Sequence, residues 1–278
     1  FRFLYKSSIF DKIYTSFRLF IDCLLYKPDL VYTIFGPPYF RAPCPHLCGY
    51  AIPLLIYPQS LEKFKFKSIF YNLFAKLLFK LPDFFIAETN TVKMRMNSIL
   101  NIPLDSIFVI PNGLNPKLSS ISLYSNKTNI VKEPIIKYIF VPSSYYKHKN
   151  IEALIPISLK ILQLDPYIKF KFILTLHPSI YRTSGIANMV NCNKLDNYFL
   201  NVGNLNLYQL ASYYSISELV FLPTLLECST AVYPESFYFS TPLITSDLEF
   251  AREQCGDAAL YCDPLDPSDC ARMILKVL

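Results

Sequence analysis

The sequence is poor in histidine and glycine, with three His and six Gly among 278 residues. Its basic residues form no compact Arg-rich patch, and no nucleic-acid recognition motif is present. We therefore expect no binding to nucleic acid. The longest early uncharged run, residues 42–61, contains four prolines, which excludes an isolated transmembrane helix. No charged leader with a cleavage site is visible, so no secretory signal is expected.

Cysteine pairs are also missing. The eight cysteines are scattered without paired spacing, which favours a reducing compartment over a disulfide scaffold. Cys44 and Cys48 bracket His46, but no second pair completes a metal site, and structural zinc normally needs four ligands. We therefore expect a cytoplasmic protein without a zinc site.

What the chain does contain is enough for a large folded core. It is rich in Phe and Tyr, and its length allows one large domain or two smaller ones. The net charge of +6 is unevenly shared. Residues 1–118 hold fourteen Lys or Arg against seven Asp or Glu, whereas residues 119–278 hold thirteen against fourteen. The basic excess therefore belongs to the first half.

In the first half, apolar periodicity predicts a helix over residues 8–26 and strands at 30–35, 83–88 and 106–110. A further helix is predicted over 92–100, with Thr89 as its N-cap. The Pro-rich segment 41–58 is predicted to be an irregular loop that could line a cleft. Its His46 is either a structural hydrogen-bonding group or a catalytic group.

Residues 62–81 alternate lysines with Phe and Leu, the composition of a basic amphipathic helix. Such a helix can lie on an anionic bilayer, where each lysine near the surface contributes roughly 1 kcal/mol. It can equally pack on the core with a solvated lysine face. Both readings stay open, and the basic charge of this half supports membrane contact.

In the second half, strands and helices alternate after a polar connection at 115–133. The predicted strands are 135–141, 168–176, 198–202, 219–222, 243–245 and 259–262. The predicted helices are 150–164, 207–214, one after Thr230 and one after Asp266. This alternation predicts a parallel sheet with helices on both faces. Ligands of such sheets bind beyond the carboxyl ends of the strands, where segments 142–149 and 224–230 fall.

Two carboxylates, Glu227 and Glu235, lie eight residues apart across a turn of small residues. Ser229, Thr230 and Ala231 allow a phosphate to approach the free N–H groups at the start of the next helix. The two carboxylates would flank this anion and accept hydrogen bonds from hydroxyl groups. An anion with hydroxyl-bearing groups on both sides describes a nucleotide-sugar.

These residues carry a resemblance to a known family. Glu227 and Glu235, followed by Thr-Pro-Leu-Ile at 241–244 and Gly-Asp-Ala-Ala at 256–259, resemble the donor-binding half of the retaining glycosyltransferases of family four. Ile-Phe-Val-Ile-Pro-Asn-Gly at 107–113 resembles that family's crossing between domains. Lys-His-Lys-Asn at 147–150 resembles its lysine-bearing turn. The similarity covers roughly residues 83–278 and, less securely, 20–60.

The resemblance implies an α/β protein of the GT-B type, with two Rossmann-like parallel-sheet domains facing across a cleft. Residues 1–118 would form the acceptor-side domain, with His46 as an acceptor-side group, and residues 119–278 the nucleotide-sugar domain. The family has a first strand and a glycine-rich loop before the helix at residue 8. Neither is present in the sequence, so the amino-terminal domain is expected to be incomplete.

The resemblance also implies roles for individual residues. Lys149 and Glu227 would be catalytic, and Glu235 would accept both ribose hydroxyls. The other residues expected to bind the donor are Ser143, Ser144, His148, Ser229, Thr230 and Ala231. The sequence has no Asp-x-Asp motif, so no metal or other cofactor is expected, and Lys149 and helix amides would neutralise the leaving diphosphate.

The departures of the sequence from the family include two in the loops of the expected donor site. In the family an arginine usually precedes the lysine-bearing turn, and Ser143 and Ser144 stand there instead. Either Lys147 or His148 takes the place of this arginine, or the site binds the diphosphate more weakly than usual. The family's Gly-Phe-Gly after the first Glu is replaced by Cys-Ser-Thr at 228–230, which restricts that loop. The second departure would change which donor fits without abolishing diphosphate binding.

The expected function is transfer of a sugar, with retention, from a nucleotide-sugar to a glycan or lipid-linked glycan precursor of the cell-surface polysaccharide type. The enzyme would work in the cytoplasm, at the inner face of a membrane. The alternative is a non-catalytic GT-B-like module at the membrane surface, which the missing first strand and arginine favour. A nucleotide-sugar epimerase is disfavoured by the shortage of histidines and loop carboxylates.

Overall fold

The computed structural model describes residues 9–57, 67–121 and 133–278. The chain divides into two compact units, Phe1–Pro111 and Asn112–Leu278. The described residues of each unit form a parallel sheet. The division falls a few residues before the predicted boundary at 118. Leu118 is fully buried, and the Tyr238 hydroxyl donates to the carbonyl of Ser119 at 2.9 Å, so this segment belongs to the second unit.

The described residues of the first unit form a four-stranded sheet. Its elements are α1 (Ile9–Tyr26), β1 (Val31–Thr33), β2 (His46–Gly49), α2 (Pro53–Ile56), α3 (Lys67–Leu78), β3 (Phe84–Ala87), α4 (Asn90–Leu100) and β4 (Ile107–Val109). The strands are parallel in the order β1-β2-β3-β4. Phe85 on β3 and Met96 on α4 are among the residues that form its core. Thr89 accepts a hydrogen bond from the backbone N–H of Val92 at 3.1 Å, which confirms the predicted N-cap.

The predicted irregular loop at 41–58 is wrong in part, because it contains strand β2 and helix α2. Strand β2 lies between β1 and β3 and is largely buried. Gly49 ends this strand where a Cβ atom would come within 1.9 Å of the Ile34 carbonyl oxygen, so only glycine fits there. The flanking prolines and the short length of the strand hid it from periodicity.

Helix α3 covers residues 67–78 of the helix predicted at 62–81, and residues 62–66 lie outside the described residues. Leu73, Phe74 and Leu77 on this helix are exposed, whereas Ala75 is buried. None of the helices in the described parts of the chain is long and apolar enough to span a bilayer.

The second unit contains every strand that was predicted for it. Its elements are α5 (Pro116–Ser119), β5 (Lys137–Val141), α6 (Leu154–Leu164), β6 (Phe170–Leu174), α7 (Pro178–Thr183), α8 (Ile186–Cys192), β7 (Phe199–Asn201), α9 (Leu207–Ile216), β8 (Leu219–Leu222), α10 (Val232–Tyr238), β9 (Leu243–Ser246), α11 (Glu249–Cys255), β10 (Leu260–Cys262) and α12 (Pro267–Val277). Helices α5, α7, α8 and α11 were not predicted. Each of them is no longer than seven residues, too short for a periodic pattern to stand out.

The six strands are parallel in the order β7-β6-β5-β8-β9-β10. The chain begins at the centre with β5, builds outward to β7, and then returns to place β8 on the other side of β5. The loops that leave β5 and β8 therefore turn toward opposite faces of the sheet. The crevice between them is where open parallel sheets bind their ligands.

Candidate functional site

The lysine turn, defined as residues 146–150, follows β5 and is closed by its own backbone. Lys149 N–H donates to the carbonyl of Tyr146 at 2.9 Å. Asn150 ends the turn in the left-handed conformation, with φ of 56°, and its side-chain amide donates to the carbonyl of Pro264 at 2.9 Å. Asparagine tolerates this conformation better than most residues. The turn is thus anchored to the connection between β10 and α12.

The loop after β8 is tied directly to the lysine turn. Leu225 N–H donates to the carbonyl of His148 at 2.7 Å, and the Thr224 hydroxyl lies 3.2 Å from the same oxygen. Thr224 is itself buried and follows β8 by two residues. These contacts join the loops that leave the two central strands, β5 and β8.

Lys149 and Glu227 form an ion pair across this junction. Lys149 Nζ donates to Oε1 of Glu227, and the Thr224 hydroxyl lies 3.0 Å from the same oxygen. Glu227 is 6% exposed. Burial raises the pKa of Glu227, while Lys149 and the Thr224 hydroxyl act in the opposite direction. The result is an ion pair at the crevice between β5 and β8, in which the ammonium group has N–H donors beyond the one that Glu227 accepts.

Glu235 occupies a separate position in the first turn of α10. Its Oε2 accepts a hydrogen bond from the Tyr214 hydroxyl of α9 at 2.7 Å. Burial raises the pKa of Glu235, and the Tyr214 hydrogen bond lowers it. The structure gives Glu235 no hydrogen bond or ion pair with Lys149 or Glu227.

Ser143 and Ser144 continue directly from β5. Ser143 is buried, and its N–H donates to the Thr175 hydroxyl at 3.0 Å. Ser144 is exposed. Both serines therefore lie at the carboxyl edge of the sheet, and no arginine from this loop adds charge to the site.

His148 contributes its backbone more than its ring to the junction. Burial lowers the pKa of His148 to about 4, and the neighbouring Lys149 adds to this effect. The imidazole is therefore neutral at pH 7. Its ring stacks on that of the exposed Tyr146 with centroids 5.5 Å apart.

The turn of small residues before α10, Ser229 to Ala231, is held by side-chain hydrogen bonds. The Ser229 hydroxyl donates to Oε1 of Gln254 on α11 at 3.1 Å. The Thr230 hydroxyl accepts from the N–H of Val232 at 3.4 Å, and Ala231 is exposed at the N-cap of the helix. One of the predicted helix-start amides thus already has a weak side-chain partner.

His46 does not lie in a loop, which corrects the prediction for this residue. It is the first residue of β2 and is 1% exposed, and its Nε2 lies 2.9 Å from the Thr33 hydroxyl. The backbone N–H of His46 donates to Oδ2 of Asp83 at 2.9 Å. Burial lowers its pKa. The residue sits at the amino edge of its sheet, opposite the edge where ligands of parallel sheets bind, which favours the structural reading.

The described residues contain no group of three or more metal-ligating side chains that could hold a metal ion. All eight cysteines are free thiols. Sequence reasoning missed Thr224, Asn150 and Tyr214 as residues that hold the site. Thr224 could have been found as a hydroxyl directly after a predicted strand, but the role of Tyr214 had no local signal.

No protein-family model and no curated protein sequence matches the chain. Solved structures do. A glycosyltransferase from Rickettsia africae ESF-5 has a TM-score of 0.67 at 16% identity, with 99% of this chain and 73% of that chain covered. Sucrose-phosphate synthase from Thermosynechococcus elongatus has a TM-score of 0.74 at 16% identity, with 99% and 71% covered.

A third match is HepE from Anabaena, in complex with UDP and glucose. It has a TM-score of 0.68 at 13% identity, with 94% of this chain and 71% of that chain covered. At such identities the matches establish the fold alone. The chain has the GT-B fold, which confirms the predicted class.

Proposed function

We propose that this protein is a glycosyltransferase that takes a sugar from a nucleoside diphosphate and transfers it with retention, as family four enzymes do. The observation that carries the proposal is the Lys149–Glu227 pair at the crevice between β5 and β8. Solved structures of the same fold include named glycosyltransferases and a complex with UDP and glucose. A cation fixed at this crevice suits a diphosphate.

In the proposed reaction the bond between the anomeric carbon and the diphosphate breaks, and negative charge builds on the leaving oxygens. Lys149 would stabilise this charge by donating its remaining N–H groups to the leaving oxygens. Its turn is fixed by the bonds to Tyr146 and Pro264, so no rearrangement is needed. Such preorganised groups contribute several kcal/mol to transition-state stability. Glu227 would hold the ammonium in place and border the donor sugar.

We further propose that no metal takes part in this step. The charge of Lys149 and the N–H groups at the start of α10 would do the work that a cation does in Asp-x-Asp enzymes. Glu235 would accept hydrogen bonds from both ribose hydroxyls. The donor would also be bordered by Ser143, Ser144, His148, Ser229, Thr230 and Ala231. The test is donor turnover with and without EDTA, which should be equal within error.

The acceptor is proposed to be a glycan or a lipid-linked glycan precursor at the inner face of a membrane. Leu73, Phe74 and Leu77 are more than half exposed on α3, with Lys76 on the same helix. Apolar side chains beside lysines suit an anionic bilayer. A non-catalytic membrane-surface module is the second candidate, and the absence of an arginine before the lysine turn favours it.

One experiment separates the two candidates. The wild-type chain is incubated with UDP-, GDP- and ADP-sugars, and release of the nucleoside diphosphate is measured beside flotation on anionic liposomes. Lys149→Ala is expected to lower the turnover about 10²- to 10³-fold. Lys160→Ala on α6, whose ammonium contacts Gln163 on the surface, is the matched control. Flotation without any nucleotide release would support the module and reject the enzyme.

A further inference from the structure

Tyr214 is fixed on all sides within the second unit. Its side chain is fully buried, and its ring stacks on Phe239 with centroids 5.2 Å apart and meets Phe140 edge-on at 5.1 Å. Its backbone carbonyl accepts a hydrogen bond from the Thr241 hydroxyl at 2.8 Å. The fold therefore sets the position of the phenol oxygen, since the ring cannot turn without disturbing the core.

This hydroxyl is hydrogen-bonded to the carboxylate of Glu235. Tyr214 Oη donates to Oε2 at 2.7 Å, and no cation pairs with Glu235 in the parts of the chain that the structure describes. Glu235 thus differs from Glu227, whose charge is balanced by Lys149. The Tyr214 hydrogen bond is what offsets the burial of the Glu235 carboxylate and favours its ionised form.

The second oxygen of Glu235 accepts no hydrogen bond from the described residues. A carboxylate can only accept hydrogen bonds, so its open oxygen selects hydroxyl donors and repels phosphate. We propose that Tyr214 is a positioning residue, which holds Oε2 of Glu235 and presents Oε1 to the ribose hydroxyls of a nucleoside diphosphate. This inference rests on the proposed function and adds to it the residue that orients the ribose-binding group.

The chain offers a matched control beside Tyr214. Tyr213 is also buried on α9 and stacks on Phe140, with centroids 5.7 Å apart. Its hydroxyl makes no hydrogen bond to the described residues. Tyr213→Phe and Tyr214→Phe therefore remove the same atom from neighbouring aromatic rings, and they differ in the loss of the bond to Glu235.

Binding of UDP, GDP, ADP and their 2′-deoxy forms is measured by calorimetry. Tyr214→Phe is expected to weaken binding of the ribonucleotide about tenfold, the effect of one lost hydrogen bond to a charged group. It should also shrink the preference over the 2′-deoxy form, because the carboxylate is no longer oriented. Tyr213→Phe should leave affinity and preference unchanged.

Two further measurements distinguish positioning from general packing. Glu235→Gln should weaken binding at least as much as Tyr214→Phe, and the double variant should bind no more weakly than Glu235→Gln alone. In Tyr214→Phe, the acid limb of the binding profile should move to higher pH, because Glu235 then takes up its proton more readily.

The outcomes are distinct. Unchanged affinity and unchanged ribose preference in Tyr214→Phe would overturn the inference, and so would an equal loss in Tyr213→Phe. Normal nucleotide binding by Glu235→Gln would overturn it as well, while leaving the proposed function intact. A wild-type chain that binds none of the six nucleotides would overturn the proposed function, and the ribose role with it.

Discussion

Replacing Lys149 with methionine tests the buried ion pair most directly. The two side chains are 19% and 8% exposed, and methionine keeps the volume of lysine while removing its charge. Breaking a buried pair leaves the remaining charge without a partner and destabilises by about 3–5 kcal/mol. Because Lys149 is partly exposed, we expect the lower end, about 3 kcal/mol at pH 7. For a unit of this size, that loss corresponds to a fall in Tm of about 6–12 °C.

The pH dependence of this stability loss tests whether the unpaired Glu227 carboxylate causes it. The pKa of Glu227 is already raised by burial, and loss of Lys149 raises it further. A carboxyl group with a raised folded pKa destabilises the fold above that pKa, and protonation relieves the effect as the pH falls. The deficit of Lys149→Met should therefore shrink between pH 7 and pH 5 in thermal unfolding.

Two controls accompany this experiment. Lys149→Met combined with Glu227→Gln should recover most of the lost stability, because no charge is left buried. Lys147→Met, two residues away, removes a lysine that is 67% exposed and should change stability by no more than about 1 kcal/mol. A deficit that does not depend on pH, or that persists in the double variant, would refute the argument.

Three further predictions concern other contacts. Gly49→Ala should destabilise the first unit by about 2–3 kcal/mol in urea unfolding, because the new Cβ would collide with the Ile34 carbonyl; wild-type stability would contradict this. Thr224→Val should lower the free energy of unfolding by about 1–2 kcal/mol because it removes a buried hydroxyl beside Glu227, whereas Thr224→Ser should restore it. Burial lowers the pKa of His46 in the folded state. The neutral imidazole therefore contributes fully to stability above about pH 6.5, and this contribution is lost as the pH falls through the folded pKa. His46→Gln should flatten this pH dependence of the unfolding free energy in urea titrations from pH 7 to 5.

The strands of the second unit could be predicted because parallel strands are buried on both faces and appear as apolar runs. Their spatial order could not be read from the sequence, since the placement of β8 beside β5 depends on packing between distant segments. Strand β2 was missed because it is four residues long and its Pro-rich surroundings resemble a loop. The interpretation of His46 as a possible cleft residue followed from that error.

The candidate site also combines contacts that could be predicted from the sequence with contacts that could not. Segments 142–149 and 224–230 were predicted to follow the carboxyl ends of strands in one sheet, and the structure pairs Lys149 with Glu227 there. The contact between Tyr214 and Glu235 joins helices α9 and α10 over 21 residues, and no local pattern marks it. Contacts that support a binding residue, such as the one between Tyr214 and Glu235, depend on how side chains pack, and hydrophobic periodicity in the sequence does not predict this packing.

The position of β5 at the sheet centre also bears on how the protein folds. Lys149 and Glu227 are 78 residues apart in the chain, and they meet once β8 has come to rest against β5. Contacts between distant segments form slowly, because chain entropy is lost before the contact stabilises anything. In stopped-flow refolding, closure of the β5–β8 strand pair should therefore lag behind helix formation.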